Sequence, residues 1–117
     1  MNFQDIQIYL TPLAFIGFFA WKALQARKIK AAMPNLIANG AVIVDVRSPN
    51  EFKLGARPGS LNIPLDQIKS RCGELNKSNT LIVCCASGVR SQLAVKILKQ
   101  NGFANVINAG AWTNTLT

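Results

Sequence analysis

Residues 80–100 restrict the fold more than any other segment, because a strand, a loop and a helix follow one another there without a linker. Residues 80–84 form an apolar run that predicts a buried strand, residues 85–91 form a short loop, and residues 92–100 have the pattern of an amphipathic helix. Backbone N–H groups of such a loop can point inward, and the helix N-terminus adds partial positive charge. The first anion stabilised there is the thiolate of Cys85. The pattern therefore predicts a nucleophilic cysteine with a lowered pKa.

Each position of the loop suits anion binding. None of residues 86–91 is proline, so every residue keeps its N–H donor. Gly88 permits the positive φ that a ring of inward-pointing amides needs, Arg90 supplies a permanent cation, and Ser91 suits the first turn of a helix. The predicted substrate-binding residues are Ala86, Ser87, Gly88, Val89 and Ser91. The alternative interpretation is a structural cysteine buried ahead of an ordinary strand-to-helix turn.

The loop carries a resemblance to a known family. Residues 85–91, Cys-x-x-Gly-x-Arg-Ser after an apolar strand, resemble the active-site loop of single-domain rhodanese sulfurtransferases, and residues 45–52 and 58–64 resemble two further segments of that family. Two segments depart from it. Residues 55–59 read Gly-Ala-Arg-Pro-Gly where the family has Gly-His-Ile-Pro-Gly, and residues 109–110 read Ala-Gly where it has Gly-Gly. The sequence contains no histidine, but attack of a thiolate on sulfur does not require one.

The resemblance implies sulfur transfer through a covalent intermediate. The Cys85 thiolate is expected to take the outer sulfur of thiosulfate or a persulfide donor and to pass it to a thiol or to cyanide, without a metal or organic cofactor. Arg90 either orients the anionic donor or ties down the loop. Asp45 and Arg47 either brace the loop or donor, or form an ion pair that holds two loops. Arg57 either adds positive potential at the pocket mouth or is a solvated surface residue.

Two other functions remain open from the sequence. Cys84 and Arg90 have five residues between them, the spacing of cysteine-dependent phosphatases and similar arsenate reductases. Those loops typically place glycine three residues after the cysteine, where Ser87 stands relative to Cys84 and Gly88 relative to Cys85. Cys84 also continues the apolar strand, which favours a buried position for it. The second alternative is a rhodanese-like binding module without catalysis.

The N-terminal segment has the pattern of a membrane anchor. Residues 6–24 are apolar on all sides and, as a helix, are about 28 Å long, close to the thickness of a bilayer core. Tyr9 and Trp21 fall near its ends, where interfacial aromatic residues belong, and a basic cluster follows at residues 27–30. By the positive-inside rule the following domain faces the cytoplasm from the inner membrane. The alternatives are a cleaved signal peptide and a helix packed on the soluble domain.

The remaining chain alternates strands and helices. The predicted strands are residues 41–46, 60–63, 80–84 and 106–107, and the predicted helices begin at Pro34, at Ser48-Pro49, near Pro64 and at Ser91. This alternation predicts a mostly parallel central sheet flanked by helices, preceded by one transmembrane helix. The predicted division is an anchor with its basic flank over residues 1–30 and a rhodanese-like domain over residues 31–117.

Charge and cysteine content limit the partners. The net charge of +8 suits an anionic substrate or membrane surface, whereas no motif points to nucleic acid. The three cysteines do not form a disulfide framework because two of them, Cys84 and Cys85, are adjacent. Cys72 is therefore either a resolving thiol or a bystander. Trp112 is expected to pack against the core.

Overall fold

The structure, a computed structural model, describes residues 2–116. Its helices are α1 (Phe3–Ala38), α2 (Pro49–Leu54), α3 (Ile68–Arg71) and α4 (Val89–Gln100), and its strands are β1 (Val42–Asp45), β2 (Leu61–Asn62), β3 (Leu81–Cys85) and β4 (Val106–Ala111). Short 3-10 turns cover Leu65–Gln67, Cys72–Glu74 and Trp112–Thr115. The four strands form one parallel sheet in the order β2-β1-β3-β4. The predicted parallel α/β architecture is confirmed.

The sheet is covered on both faces. Side chains alternate along β3, so that Val83 and Cys85 belong to the core under α3 and α4, whereas Ile82 and Cys84 belong to the core under α1. Met33 of α1 is fully buried in the second core. The two neighbouring cysteines are therefore directed to opposite faces of the sheet.

Helix α1 is one continuous helix of 36 residues. At 1.5 Å per residue it is about 54 Å long. The prediction of a separate short helix beginning at Pro34 was wrong, because Pro34 lies inside α1. A proline removes one helical hydrogen bond, but the buried side chain of Met33, with Ile29 and Leu36 packed beside it, holds this part of α1 against the sheet.

The N-terminal part of α1 extends away from the domain core. Within residues 2–116 the chain has one helix, α1, that is long and apolar enough to cross a membrane, and none of its apolar stretch is buried. Phe15, Phe19 and Trp21 are each more than half exposed. The alternative in which these side chains pack into the soluble domain was therefore wrong.

Two boundaries near the loop differ from the sequence prediction. Helix α4 begins at Val89, two residues before the predicted start at Ser91, and its N-cap is Gly88. Strand β4 continues to Ala111, four residues beyond the predicted end at residue 107. A β-bulge makes this possible: Val83 pairs with Asn108 and Cys84 pairs with Gly110, so that Ala109 is the extra residue.

Candidate active site

The side chain of Cys85 lies inside the loop that follows it. β3 ends at Cys85 and α4 begins at Val89, so the loop between them must reverse direction within three residues. Gly88 allows this with φ of +104°, a conformation that other residues rarely adopt. Its N–H donates to Cys85 Sγ at 2.9 Å. The cysteine side chain is fully buried, so the sulfur interacts with backbone donors rather than with water.

Opposing effects act on the ionisation of Cys85. Burial acts to raise the pKa of the thiol, but hydrogen bonds from the Ser91 hydroxyl and from the amides of Ser91, Gly88 and Ser87 outweigh it, so the pKa lies below its ordinary value. The loop therefore stabilises the thiolate, which is the state that attacks sulfur or carbon electrophiles. The lowered pKa agrees in direction with the expectation from the sequence.

The environment of Cys84 has the opposite effect. Burial above all, then the charge of Asp45, raises the pKa of the Cys84 thiol to about 12. Its side chain is 1% exposed and packs among apolar residues on the α1 face of the sheet. Near neutral pH Cys84 is therefore a protonated, buried thiol.

A polar network behind the sulfur was not foreseen from the sequence. The hydroxyl of Ser91 lies 3.5 Å from Cys85 Sγ and donates to Asn108 Oδ1 at 2.7 Å, which also accepts from the N–H of Gly110 at 2.9 Å. The Cys85 thiol can donate to this hydroxyl, and the hydroxyl can turn to donate to the thiolate. Asn108 thus positions Ser91. In the sequence, Asn108 could have been noticed as the one polar residue of an apolar strand, directly before Ala109 and Gly110.

Arg90 forms an ion pair that ties the loop to α2. Its guanidinium donates to both carboxylate oxygens of Glu51, at 2.6 Å and 2.9 Å. Glu51 also caps α2, where its carboxylate accepts from the amide of Ser48. The bonds from Arg90, followed by those from Ser48, lower the pKa of Glu51 to about 2. The sequence offered two roles for Arg90; in the structure its guanidinium is paired with Glu51, and its role in catalysis stays a prediction.

The stabilisation that Glu51 gives has a defined pH dependence. Because its pKa is lower in the folded state than in the unfolded chain, its contribution is present above the ordinary pKa of 4.5 and is lost as the pH falls through about 2. The pair with Arg90 therefore stays ionised over the whole neutral range.

Asp45 and Arg47 form a buried ion pair at the end of β1. The guanidinium of Arg47 donates to Asp45 Oδ2 at 2.7 Å and to the carbonyl oxygen of Gly55 at 2.7 Å, and it stacks over the ring of Trp112 at 4.9 Å. The pair thus joins the ends of β1, α2 and β4 beside the loop. In the structure it holds loops together, which was the structural alternative for these two residues.

The sequence also singled out Arg57 and Cys72. One guanidinium nitrogen of Arg57, Nη1, is buried without a hydrogen-bond partner among the described residues. The thiol of Cys72 donates to the carbonyl oxygen of Lys69 and is bound in no disulfide. Within residues 2–116 no three His, Cys, Asp or Glu side chains form a group that could hold a metal ion.

Comparison with known proteins points to one family. The sequence matches the model of the rhodanese-like domain over residues 29–114. Over 57% of the chain it is 36% identical to a sulfurtransferase of Allochromatium vinosum, of which the match covers 63%. It is also 36% identical over 57% of the chain to the thiosulfate sulfurtransferase PspE of Escherichia coli, of which the match covers 66%.

Solved structures agree with the sequence comparison. A rhodanese with anions from E. coli superimposes with a TM-score of 0.63 at 31% identity, covering 67% of this chain and 94% of that one. A rhodanese-related protein from Thermoplasma volcanium gives a TM-score of 0.65 at 30% identity, covering 74% of this chain and 86% of that one. The chain spans less than two thirds of several curated relatives, including 36% and 54% of two proteins from Bacillus subtilis.

Proposed function

Because the chain belongs to the rhodanese-like domain family, we propose that it is a sulfurtransferase that carries sulfane sulfur as a persulfide on Cys85. The observation that carries this proposal is the position of Cys85 Sγ, which accepts from the Gly88 N–H at 2.9 Å inside a loop that lowers its pKa. The same donors suit the terminal sulfur of a persulfide, because that sulfur also carries negative charge.

The proposed reaction has two steps. The Cys85 thiolate forms a bond to the outer sulfur of thiosulfate, the bond between the two sulfur atoms of thiosulfate breaks, and sulfite leaves with the electron pair. The persulfide remains in the loop, where amides from Ala86 to Ser91, including those of Ser87, Gly88 and Val89, surround its charge. A thiolate or cyanide then attacks the terminal sulfur and restores the Cys85 thiolate. In this scheme Arg90, paired with Glu51, holds the loop in place beside the anionic donor, and Asp45 with Arg47 supports the loop.

The phosphatase alternative requires Cys84 as nucleophile. A pKa of about 12 and burial on the opposite face of the sheet both work against that role. The non-catalytic alternative would leave the lowered pKa of Cys85 and the Ser91–Asn108 network without a use. The environment of Cys84 thus disfavours the phosphatase, and the environment of Cys85 disfavours the non-catalytic module.

A thiosulfate loading experiment tests the proposed function. We expect the purified full chain, incubated with thiosulfate and measured by intact mass spectrometry, to gain the mass of one sulfur atom and to lose it when cyanide is added. We expect no hydrolysis of an aryl phosphate. A chain that gains no sulfur would favour the binding module, and hydrolysis that disappears in Cys84→Ala would favour the phosphatase.

We further propose that the apolar part of α1 anchors the protein in the cytoplasmic membrane. Residues 6–24 are mostly apolar, with Lys22 as their one charged residue, and all of them are exposed in the structure. Arg27, Lys28 and Lys30 follow directly, and Asp5 precedes. This asymmetry favours a domain on the cytoplasmic side. The division at residues 30 and 31 belongs to the same proposal, although α1 continues through it without a break.

Cysteine labelling tests this topology. In a background with Cys72 and Cys85 replaced by serine, Leu54→Cys introduces a thiol at a position that is 91% exposed. We expect a membrane-impermeant maleimide to label it in bacterial spheroplasts only after lysis, whereas Asn2→Cys is labelled in intact spheroplasts. Labelling of Leu54→Cys without lysis would place the domain outside the cytoplasm.

A further inference from the structure

A groove runs between α1 and the loop that contains Cys85. It has a volume of about 680 Å³, and Phe18, Trp21 and Lys22 of α1 line one wall while Ser87 and Gly88 line the other. Gly88 of this second wall is also the residue whose N–H donates to Cys85 Sγ. The groove therefore borders the loop that holds the sulfur, and α1 forms part of the surroundings of the candidate active site.

Lys22 reaches across the groove to the loop. Its ammonium donates to the carbonyl oxygen of Ser87 at 3.2 Å, and it lies 5.5 Å from the centre of the Phe18 ring. Lys22 takes part in none of the ion pairs formed between residues 2 and 116. Its charge is thus available to an anion that enters the groove.

Arg90 is less available for this purpose. Both of its terminal nitrogens are bound to the Glu51 carboxylate, so its charge is largely compensated before a substrate arrives. An anionic donor that approaches the loop therefore meets an ammonium on Lys22 that has no carboxylate partner among the described residues, and a guanidinium on Arg90 that is already paired. This difference assigns anion recognition at the α1 side of the loop to Lys22.

The far end of the groove is aromatic and belongs to the apolar segment of α1. The side chains of Phe18 and Trp21 are 51% and 57% exposed. Phe18, Trp21 and Lys22 all lie within residues 6–24, at the end of the proposed anchor that adjoins the domain, so the groove wall is the last part of the apolar segment itself. An apolar chain lying along these rings would remain in contact with apolar surface from the bilayer interface to Lys22.

We propose that this groove binds an amphiphilic sulfur donor, an anionic thiosulfonate-type group attached to an apolar chain. The anion lies at Lys22 and the chain lies along Phe18 and Trp21. The proposal rests on persulfide formation at Cys85 and specifies the substrate class for it. With an alkanethiosulfonate, the Cys85 thiolate forms a bond to the terminal sulfur, the bond from that sulfur to the sulfonyl group breaks, and the alkanesulfinate leaves with the electron pair.

Chain-length preference in matched variants tests the proposal. Methanethiosulfonate and octanethiosulfonate are compared as donors for the full-length protein in detergent, with cyanide as acceptor. Burial of several methylene groups is worth about 10- to 100-fold in kcat/KM for the longer donor. We expect Phe18→Ala to lose most of this preference, whereas Phe15→Ala, a change in the same helix outside the groove, retains it.

The charge is tested in the same assay. We expect Lys22→Met to raise KM for both donors by about five- to tenfold with little change in kcat, consistent with loss of one ionic contact. Lys28→Met removes the same charge about 240° further round α1 and is expected to leave KM unchanged. Equal effects of the two lysine variants, or a preference for the long donor that survives Phe18→Ala, would overturn the groove proposal. Failure of the wild type to use either thiosulfonate while it still uses thiosulfate would also overturn the groove proposal, whereas failure with thiosulfate as well would overturn persulfide transfer.

Discussion

Replacing Cys85 by alanine is expected to lower sulfur transfer from thiosulfate by at least about 10³-fold, whereas Cys84→Ala retains activity within about threefold. The two residues are adjacent, but only Cys85 accepts a hydrogen bond from the Gly88 amide. Cys84 lies on the other face of the sheet, where burial, with a smaller contribution from Asp45, raises its pKa to about 12. A thiol that is protonated at neutral pH and directed into a core cannot replace the lost nucleophile.

The measurement is thiocyanate formation together with intact mass after thiosulfate treatment. Alanine is used at both positions because it removes the sulfur without burying a new hydroxyl group. Circular dichroism and thermal unfolding of both variants serve as the control, since Cys84→Ala leaves a small cavity in the core under α1. Loss of activity in a folded Cys84→Ala variant, with activity retained in Cys85→Ala, would transfer the chemistry to Cys84.

The sequence was sufficient to predict the centre of the fold. A β-branched apolar run that passes directly into Cys-x-x-Gly-x-Arg-Ser leaves few conformations other than a buried strand, a tight loop and a helix, and β3 with α4 has this arrangement. The opposite directions of Cys84 and Cys85 follow from the two-residue period of a strand. These features are local, so neighbouring residues determine them.

The features that were missed depend on contacts between distant parts of the chain. The pair of Arg90 with Glu51 joins residues 39 positions apart, and no spacing rule predicts it. Asn108 reaches Ser91 because a bulge shifts the register of β4, and a bulge leaves little trace in sequence. Helix α1 continues past Pro34 because Met33 is buried against the sheet, where tertiary packing outweighs the loss of one helical hydrogen bond.

The same contacts explain why the loop does not depend on histidine. The donors around Cys85 are backbone amides and one hydroxyl, none of which titrates near neutral pH. The pKa of the thiolate is thus set by geometry, and the geometry is held by Asn108 on one side and by the pair of Arg90 with Glu51 on the other. A change that moves a single amide should therefore alter the ionisation of Cys85.

Gly88→Ala makes such a change. Gly88 has φ of +104°, and a Cβ atom there would lie 3.3 Å from the Cα of Gly110, which belongs to the backbone and cannot turn aside. Avoiding both the strained φ and this contact moves the Gly88 amide away from Cys85 Sγ. We expect kcat/KM for thiosulfate to fall by about 10²-fold, the usual cost of one preorganised donor to a reacting anion.

The pH dependence of thiol alkylation separates this effect from simple unfolding. Iodoacetamide reacts with the thiolate, so the rate at Cys85 rises as the pH passes through its pKa. Because the Gly88 amide is among the groups that lower this pKa, its displacement should move the midpoint to higher pH.

Gly40→Ala is the matched control. Gly40 also has positive φ, with no atom near the added Cβ, and it precedes β1 at the opposite end of the sheet. We expect Gly40→Ala to lower thermal stability while leaving the alkylation midpoint in place, since strain alone does not change the donors around the sulfur. An unchanged midpoint in a folded Gly88→Ala protein would show that the amide of Gly88 does not stabilise the thiolate.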